Sequence, residues 1–155
     1  MPTISTAYFG ELDYLDSAVF RFPCGLPGFE SERAFLFLQK PQTEPLMFLQ
    51  SIHNPTLCFV LLPILVADPK YRVNLDAEDL AMLHLAPGRQ PRIGEEILCA
   101  AILRAGESDQ ENPTANLLAP IVVNIKEQIG VQAIQADSAY SHRHPINPCE
   151  ELVSC

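Results

Sequence analysis

The side chains able to do more than pack are four histidines, five cysteines and a scattered set of carboxylates in a chain of 155 residues. His142-x-His144 with Cys149 could supply three metal ligands. The spacing lacks the closed four-ligand pattern of a structural zinc site, and two histidines beside Pro145 in a polar tail read as solvated. His53 and Cys58 could form a thiolate pair only if the turn between them brings them together. Cys58 lies in an apolar run, which raises a thiol pKa and blunts its reactivity. His84 falls inside a predicted helix and reads as a packed or surface imidazole. Gly25 and Gly28 do not have the GxGxxG spacing, and a proline removes one amide donor that a phosphate loop needs. G-x-S-x-G, Walker and HExxH patterns are absent from the sequence. The carboxylates nominate no acid/base pair. The expectation is a protein that is not an enzyme, with no catalytic residue, metal or cofactor.

The formal net charge is −9, from 19 acidic and 10 basic residues. A field of that sign repels phosphate, so direct nucleic-acid binding is not expected, while a basic partner is attracted. The plainer alternative is that the charge only keeps the chain soluble. The cysteines (Cys24, Cys58, Cys99, Cys149, Cys155) are odd in number and include no CxxC pair, so they read as reduced and the compartment as cytoplasmic. No basic n-region precedes an apolar block at the N-terminus. The longest apolar run, 57–67, is too short for a bilayer and is broken by Pro63, so no membrane association is expected.

The element that must position everything else is 120–125. Nearly every side chain there is β-branched or apolar, which suits a strand buried on both faces, begun by Pro120. Further strands are predicted at 3–9, 11–14, 18–22, 35–38, 46–52, 57–62 and 97–103, with a hairpin returning over 131–136. Short turns between them imply antiparallel meander connections. The polar stretch 106–113 reads as a surface loop. The part from Tyr140 onward reads as surface chain that frays toward Cys155. The expected fold is mainly β: a small irregular antiparallel β-barrel with one short helix, the alternative being a β-sandwich. One domain over 1–146 and a frayed tail over 147–155 are expected.

The predicted helix begins at Asp76 as N-cap, with Asp79 at N3 and a Leu75–Leu80 staple, and stops at Pro87-Gly88. Its acidic start, Asp76, Glu78 and Asp79, is a candidate patch for a basic partner, although capping and dipole preference explain it equally. In 23–30, Pro27-Gly28 predicts a tight turn. Phe29 and Glu30 are candidate contacts there; the competing reading tucks Leu26 and Phe29 into the core. Asn116 is a further candidate, against a reading in which it bonds local backbone.

Three blocks go beyond generic β patterning. They are Gly25-Leu26-Pro27-Gly28-Phe29-Glu30, the run Thr114-Ala115-Asn116-Leu117-Leu118-Ala119-Pro120-Ile121-Val122-Val123-Asn124, and Tyr140-Ser141-His142-Arg143-His144-Pro145. Their order and separation resemble the flagellar assembly factor FliW family. Leu49-Gln50-Ser51-Ile52 resembles that family's segment before its long apolar strand. The likeness extends from about Tyr8 to Ile146.

The resemblance implies a β-barrel, monomeric when free, that acts by binding other proteins. It implies two partners: CsrA, an RNA-binding translational repressor of flagellin messenger RNA, and flagellin itself, which competes for the factor. Phe29, Glu30, Asp76, Glu78, Asp79 and Asn116 are then the candidate contact residues. His142, Arg143 and His144 are expected to latch onto the barrel's own acidic face, or onto an acidic partner. Other classes remain open: a dedicated flagellin chaperone that never meets a repressor, and a small hydrolase or ligand-binding barrel.

Overall fold

The computed structural model describes residues 1–106, 108, 111–136 and 138–146. The tail and its Cys149 and Cys155, and part of the 106–113 loop, lie outside the described residues. Among the described residues, eleven strands, two short α-helices and two single 3-10 turns follow one another. The strands and α-helices are β1 (Thr3–Thr6), β2 (Gly10–Asp13), β3 (Phe20–Arg21), β4 (Ala34–Gln39), β5 (Met47–Ser51), β6 (Cys58–Pro63), α1 (Ile64–Ala67), α2 (Ala77–Met82), β7 (Ile97–Arg104), β8 (Thr114–Ala115), β9 (Ile121–Asn124), β10 (Ile129–Gln132) and β11 (His144–Pro145).

Strands β7-β6-β5-β4-β3-β10-β9 lie side by side, and β9 pairs back onto β7, closing a seven-strand barrel. Closure explains why 121–124 is buried on both faces. Ile121 and Val123 point inward to Phe22, Phe35, Leu49 and Leu61. Val122 points outward into a second core with Leu62, Ile64, Leu80 and Leu83 beneath the two helices. The same alternation runs through β6, with Leu61 inside and Leu62 outside. Truncating a fully buried member such as Ile121 to alanine removes about 2–5 kcal/mol. Gly130 on β10 faces the interior, where a Cβ would lie 2.6 Å from the Phe22 ring. The absent side chain is what lets that ring fill the barrel.

Polar side chains fasten the outer layer. Asn124 donates from Nδ2 to the Leu83 carbonyl at 2.7 Å, and Tyr71 donates its hydroxyl to the Leu117 carbonyl at 2.6 Å. Gln90 both accepts from the Leu75 amide and donates to the Leu75 carbonyl. On the opposite side the β1–β2 hairpin is held by the Ala7 amide on the Pro55 carbonyl and by an edge contact between Phe9 and Phe48.

Several expectations change. One barrel pairing is parallel, β3 with β10, because the chain enters β10 from a turn already alongside β3, where the Arg21 amide donates to the Gln128 carbonyl. The returning hairpin strand starts at Ile129, two residues earlier than expected, because Gln128 takes φ +53° and makes the turn tighter. The strand ends at Pro63, and the residues after it form α1, a second short helix where one was expected. The predicted helix stops at Met82, well before Pro87, because His84 adopts φ +58°; that histidine lies beyond the helix, exposed. The segment from Tyr140 is not merely surface chain. Tyr140 stacks on Tyr71 at 4.2 Å, β11 pairs with β8, and Ile146 is fully buried.

Candidate partner-binding surfaces

The loop between β3 and β4 is tied across its base by the Phe22 amide on the Arg33 carbonyl. Within it, Leu26 and Phe29 exchange backbone hydrogen bonds around Pro27-Gly28. Gly28 has φ +85°, as a Pro-Gly tight turn requires at its third position. Gly25 also has a positive φ, +65°, and a Cβ there would lie 2.6 Å from Glu30 backbone. The loop therefore folds tightly on itself. Leu26 is buried, while Phe29 remains 40 % exposed with one ring edge against Phe59 at 5.5 Å. The two apolar residues divide: Leu26 follows the packing reading, and Phe29 stays at the surface.

On one side of this loop, Glu30 meets the start of α2. A cleft of about 330 Å³ is bordered by Cys24, Glu30, Glu78, Asp79 and Met82, with β10 along its floor. Two candidate groups almost fifty residues apart in sequence are thus brought together. Asp76 caps α2, its Oδ1 accepting the Asp79 amide at 2.7 Å. It faces the adjacent depression with Arg72 and Gln135. Leu75 and Leu80 are both buried, as the staple requires. Burial, then the neighbouring charges of Asp76 and Glu78, push the Asp79 carboxyl up to about 6.

Asn116 stands apart from this cleft. Its Oδ1 accepts the amides of Leu118 and Ala119 at 3.1 and 3.0 Å, turning the chain from β8 toward β9. The segment with His142, Arg143 and His144 is held by backbone: the Leu117 amide on the Ser141 carbonyl, the β8–β11 ladder and the Ile146 amide on the Pro113 carbonyl. His142 and His144 belong to no metal-holding group of three among the described residues. Burial pushes the Cys58 thiol up to about 11 and the Cys99 thiol to about 12, so neither is a thiolate at neutral pH.

Two surfaces were not anticipated from sequence. An apolar groove of about 430 Å³ lies where the hairpin tip meets the barrel wall, between Tyr8, Phe9, Phe48 and Val60, with Lys40 over the Phe9 ring at 4.6 Å. Tyr8 is 64 % exposed at its edge. The alternation of Phe48 and Val60 on strands whose other face is core was the available signal. The second is a basic cleft on the far side of the 22–33 loop, bordered by Arg21, Arg33 and His53.

A closed β-barrel with helices on one flank and shallow clefts sorted by charge defines a module built to present surface rather than an enclosed chamber. Over residues 3–146 the sequence matches the family described as FliW protein. The flagellar assembly factor FliW of Syntrophomonas wolfei is 35 % identical over 146 residues, covering 94 % of this chain and 88 % of that protein. The Bacillus subtilis protein of the same name is 31 % identical, covering 92 % and 95 %. A crystal structure of the flagellar assembly factor FliW superposes with a TM-score of 0.81 at 32 % identity, covering 96 % of this chain and 99 % of that one. The chain belongs to the FliW family, a family of flagellar assembly factors. Among the described residues no helix is long and apolar enough to cross a membrane.

Proposed function

We propose that this chain regulates flagellum assembly by binding two proteins in turn, the translational repressor CsrA and flagellin. The observation that carries the CsrA half is the convergence of Glu30, Glu78 and Asp79 on one cleft in a chain of net charge −9. A repressor that holds RNA is basic. An acidic module docked beside its RNA face attracts the repressor and repels phosphate, so release of counterions no longer favours RNA as strongly. Repression is relieved by electrostatic exclusion, with the base-reading site left unoccupied. The flagellin half draws support from the Tyr8–Phe48 groove, whose aromatic walls suit the apolar face of a helical segment. Phe29, next to Glu30 in the loop, and Asp76, at the cap of α2, are secondary contacts, and Asn116, apart from the acidic cleft, is a separate candidate contact.

Titration of the purified chain against CsrA at about 0.05 M and about 0.5 M salt tests the mechanism, since the Debye length shrinks severalfold between them. Affinity falls steeply with salt on this reading. Equal affinity at both concentrations rejects electrostatic exclusion. Binding of flagellin with no binding of CsrA at either concentration favours a dedicated flagellin chaperone instead.

A further inference from the structure

The charge of this chain is not evenly spread. Arg21, at the end of β3, and Arg33, just before β4, are brought together because Arg21 pairs with Ala34 across the β3–β4 ladder. His53 reaches the same place from the β5–β6 turn, whose Ile52 amide donates to the Ala34 carbonyl. With Pro23, Ser31 and Ala34 they border an open cleft of about 510 Å³ that no carboxylate lines among the described residues. Arg21, Arg33 and His53 are exposed and form no ion pair among the described residues, where the pairs are Arg89–Glu96 and Arg92–Glu95. The two nearest acids in sequence are already engaged. Glu30 Oε1 accepts the Gly28 amide at 3.1 Å, and Glu32 Oε2 accepts the Ser51 hydroxyl at 2.8 Å. Among the described residues the one side-chain bond of Arg33 is a long one, from Nε to the Glu30 carbonyl at 3.4 Å, which does not engage its terminal nitrogens.

We propose that this cleft binds a short acidic peptide segment of a partner protein. Two guanidiniums present planar forks that match carboxylates, and the imidazole adds a third donor. The donors are exposed side chains from three separate elements, spread along an open trough. That arrangement suits two or three carboxylates in sequence better than a single phosphate, which is held by converging buried donors and backbone amides. Nucleic acid fits less well. Its phosphates would continue past the patch into the field of a chain with net charge −9, whereas a brief acidic run ends where the patch ends. This assignment goes beyond the CsrA and flagellin reading and does not depend on it.

The probe is fluorescein-labelled hexaglutamate, titrated with the full chain at low salt, beside inorganic phosphate and a single-stranded oligouridylate. An acidic protein has no general attraction for hexaglutamate, so binding reports a local site. We expect saturable binding that weakens about tenfold in the double variant Arg21→Gln, Arg33→Gln, and less in Arg21→Lys, Arg33→Lys, which keeps the charge but loses the planar fork. Both arginines are exposed, so thermal melts of the variants should match the parent and exclude misfolding as the cause. Failure of the parent to bind hexaglutamate, equal binding by the glutamine variant, or preference for phosphate or oligouridylate each overturns the proposal.

Discussion

The loop 22–33 is a wall with opposite charge on its two sides. One side contributes Glu30 to a cleft shared with Glu78 and Asp79; the other contributes Arg33 to a cleft shared with Arg21 and His53. The acidic side is built against a helix, where the start of α2 has its own reasons to be acidic. The basic side is built on strand ends and a hairpin turn, where no backbone preference calls for arginine. Surface charge therefore carries different meaning on the two sides. Acidic residues at a helix start serve folding even without a partner. Unpaired arginines in an acidic chain do not.

The sharpest way to break this contrast is to remove the wall. Gly25→Ala sets a side chain at positive φ and against Glu30 backbone, so both clefts should fail together. A loss of about 3 kcal/mol or more is expected, read as a melting temperature lower by roughly 10 °C. Gly28→Ala, where a Cβ meets open space, should cost only about 1 kcal/mol. Equal melting of the two variants would mean that the close approach at Gly25 is not what holds the loop.

The next largest effect separates the two sides. Glu30→Gln with Glu78→Gln removes two of the three carboxylates from the acidic cleft. Affinity for CsrA should fall about tenfold at low salt, with little change in hexaglutamate binding. Parallel loss of both would show that the two clefts act as one surface.

Asn116→Ala weighs a third region against the clefts. Its Oδ1 holds two amides, so the variant should lose about 1–2 kcal/mol of stability in a denaturant titration. Unchanged melting with lost partner binding would instead make Asn116 a contact residue.

The smallest expected effect concerns Asp79. Its carboxyl titrates near 6 in the folded chain, above the unfolded value near 4. Between those pH values the folded state holds the extra proton. The charged form, dominant above about pH 6, is therefore a destabilising presence that disappears as pH falls toward 4. Asp79→Asn should raise the melting temperature at pH 7.5 and lose that advantage at pH 4. Solvent around this partly exposed group keeps the gain below about 1 kcal/mol. An equal effect at both pH values would point to lost helix-start hydrogen bonding instead.

What was legible in the sequence was local. Burial of 121–124 on both faces showed in its β-branched residues, and the start of α2 showed in Asp76, Asp79 and the Leu75–Leu80 pair. The barrel as a class followed from many short strands in one chain. What escaped was pairing at long range. Nothing in the residues around 97 and 121 says that β7 and β9 touch, or that β3 runs parallel to β10. The end of α2 escaped because a left-handed histidine is not written in local propensity. Ile146 read as surface chain because only a folded neighbour, here the Pro113 carbonyl and the outer core, gives it somewhere to go. For the site, Glu30 and the helix start were each legible, but their meeting was not. Arg21 was visible as the polar side chain opposite Phe20 and Phe22, with no hint that Arg33 and His53 would join it.

The bond between β7 and β9 has one more consequence. Pairing of β9 back onto β7 closes those two strands against each other, so neither offers that edge as a template for an added strand. Among the described residues, edges without a ladder partner include those of the β1–β2 ribbon, of β11, and of β10 beyond Ile129, its one pairing with β3. A partner that docks away from those edges has to be read by side chains, and its selectivity can drift by single substitutions while the barrel itself stays whole.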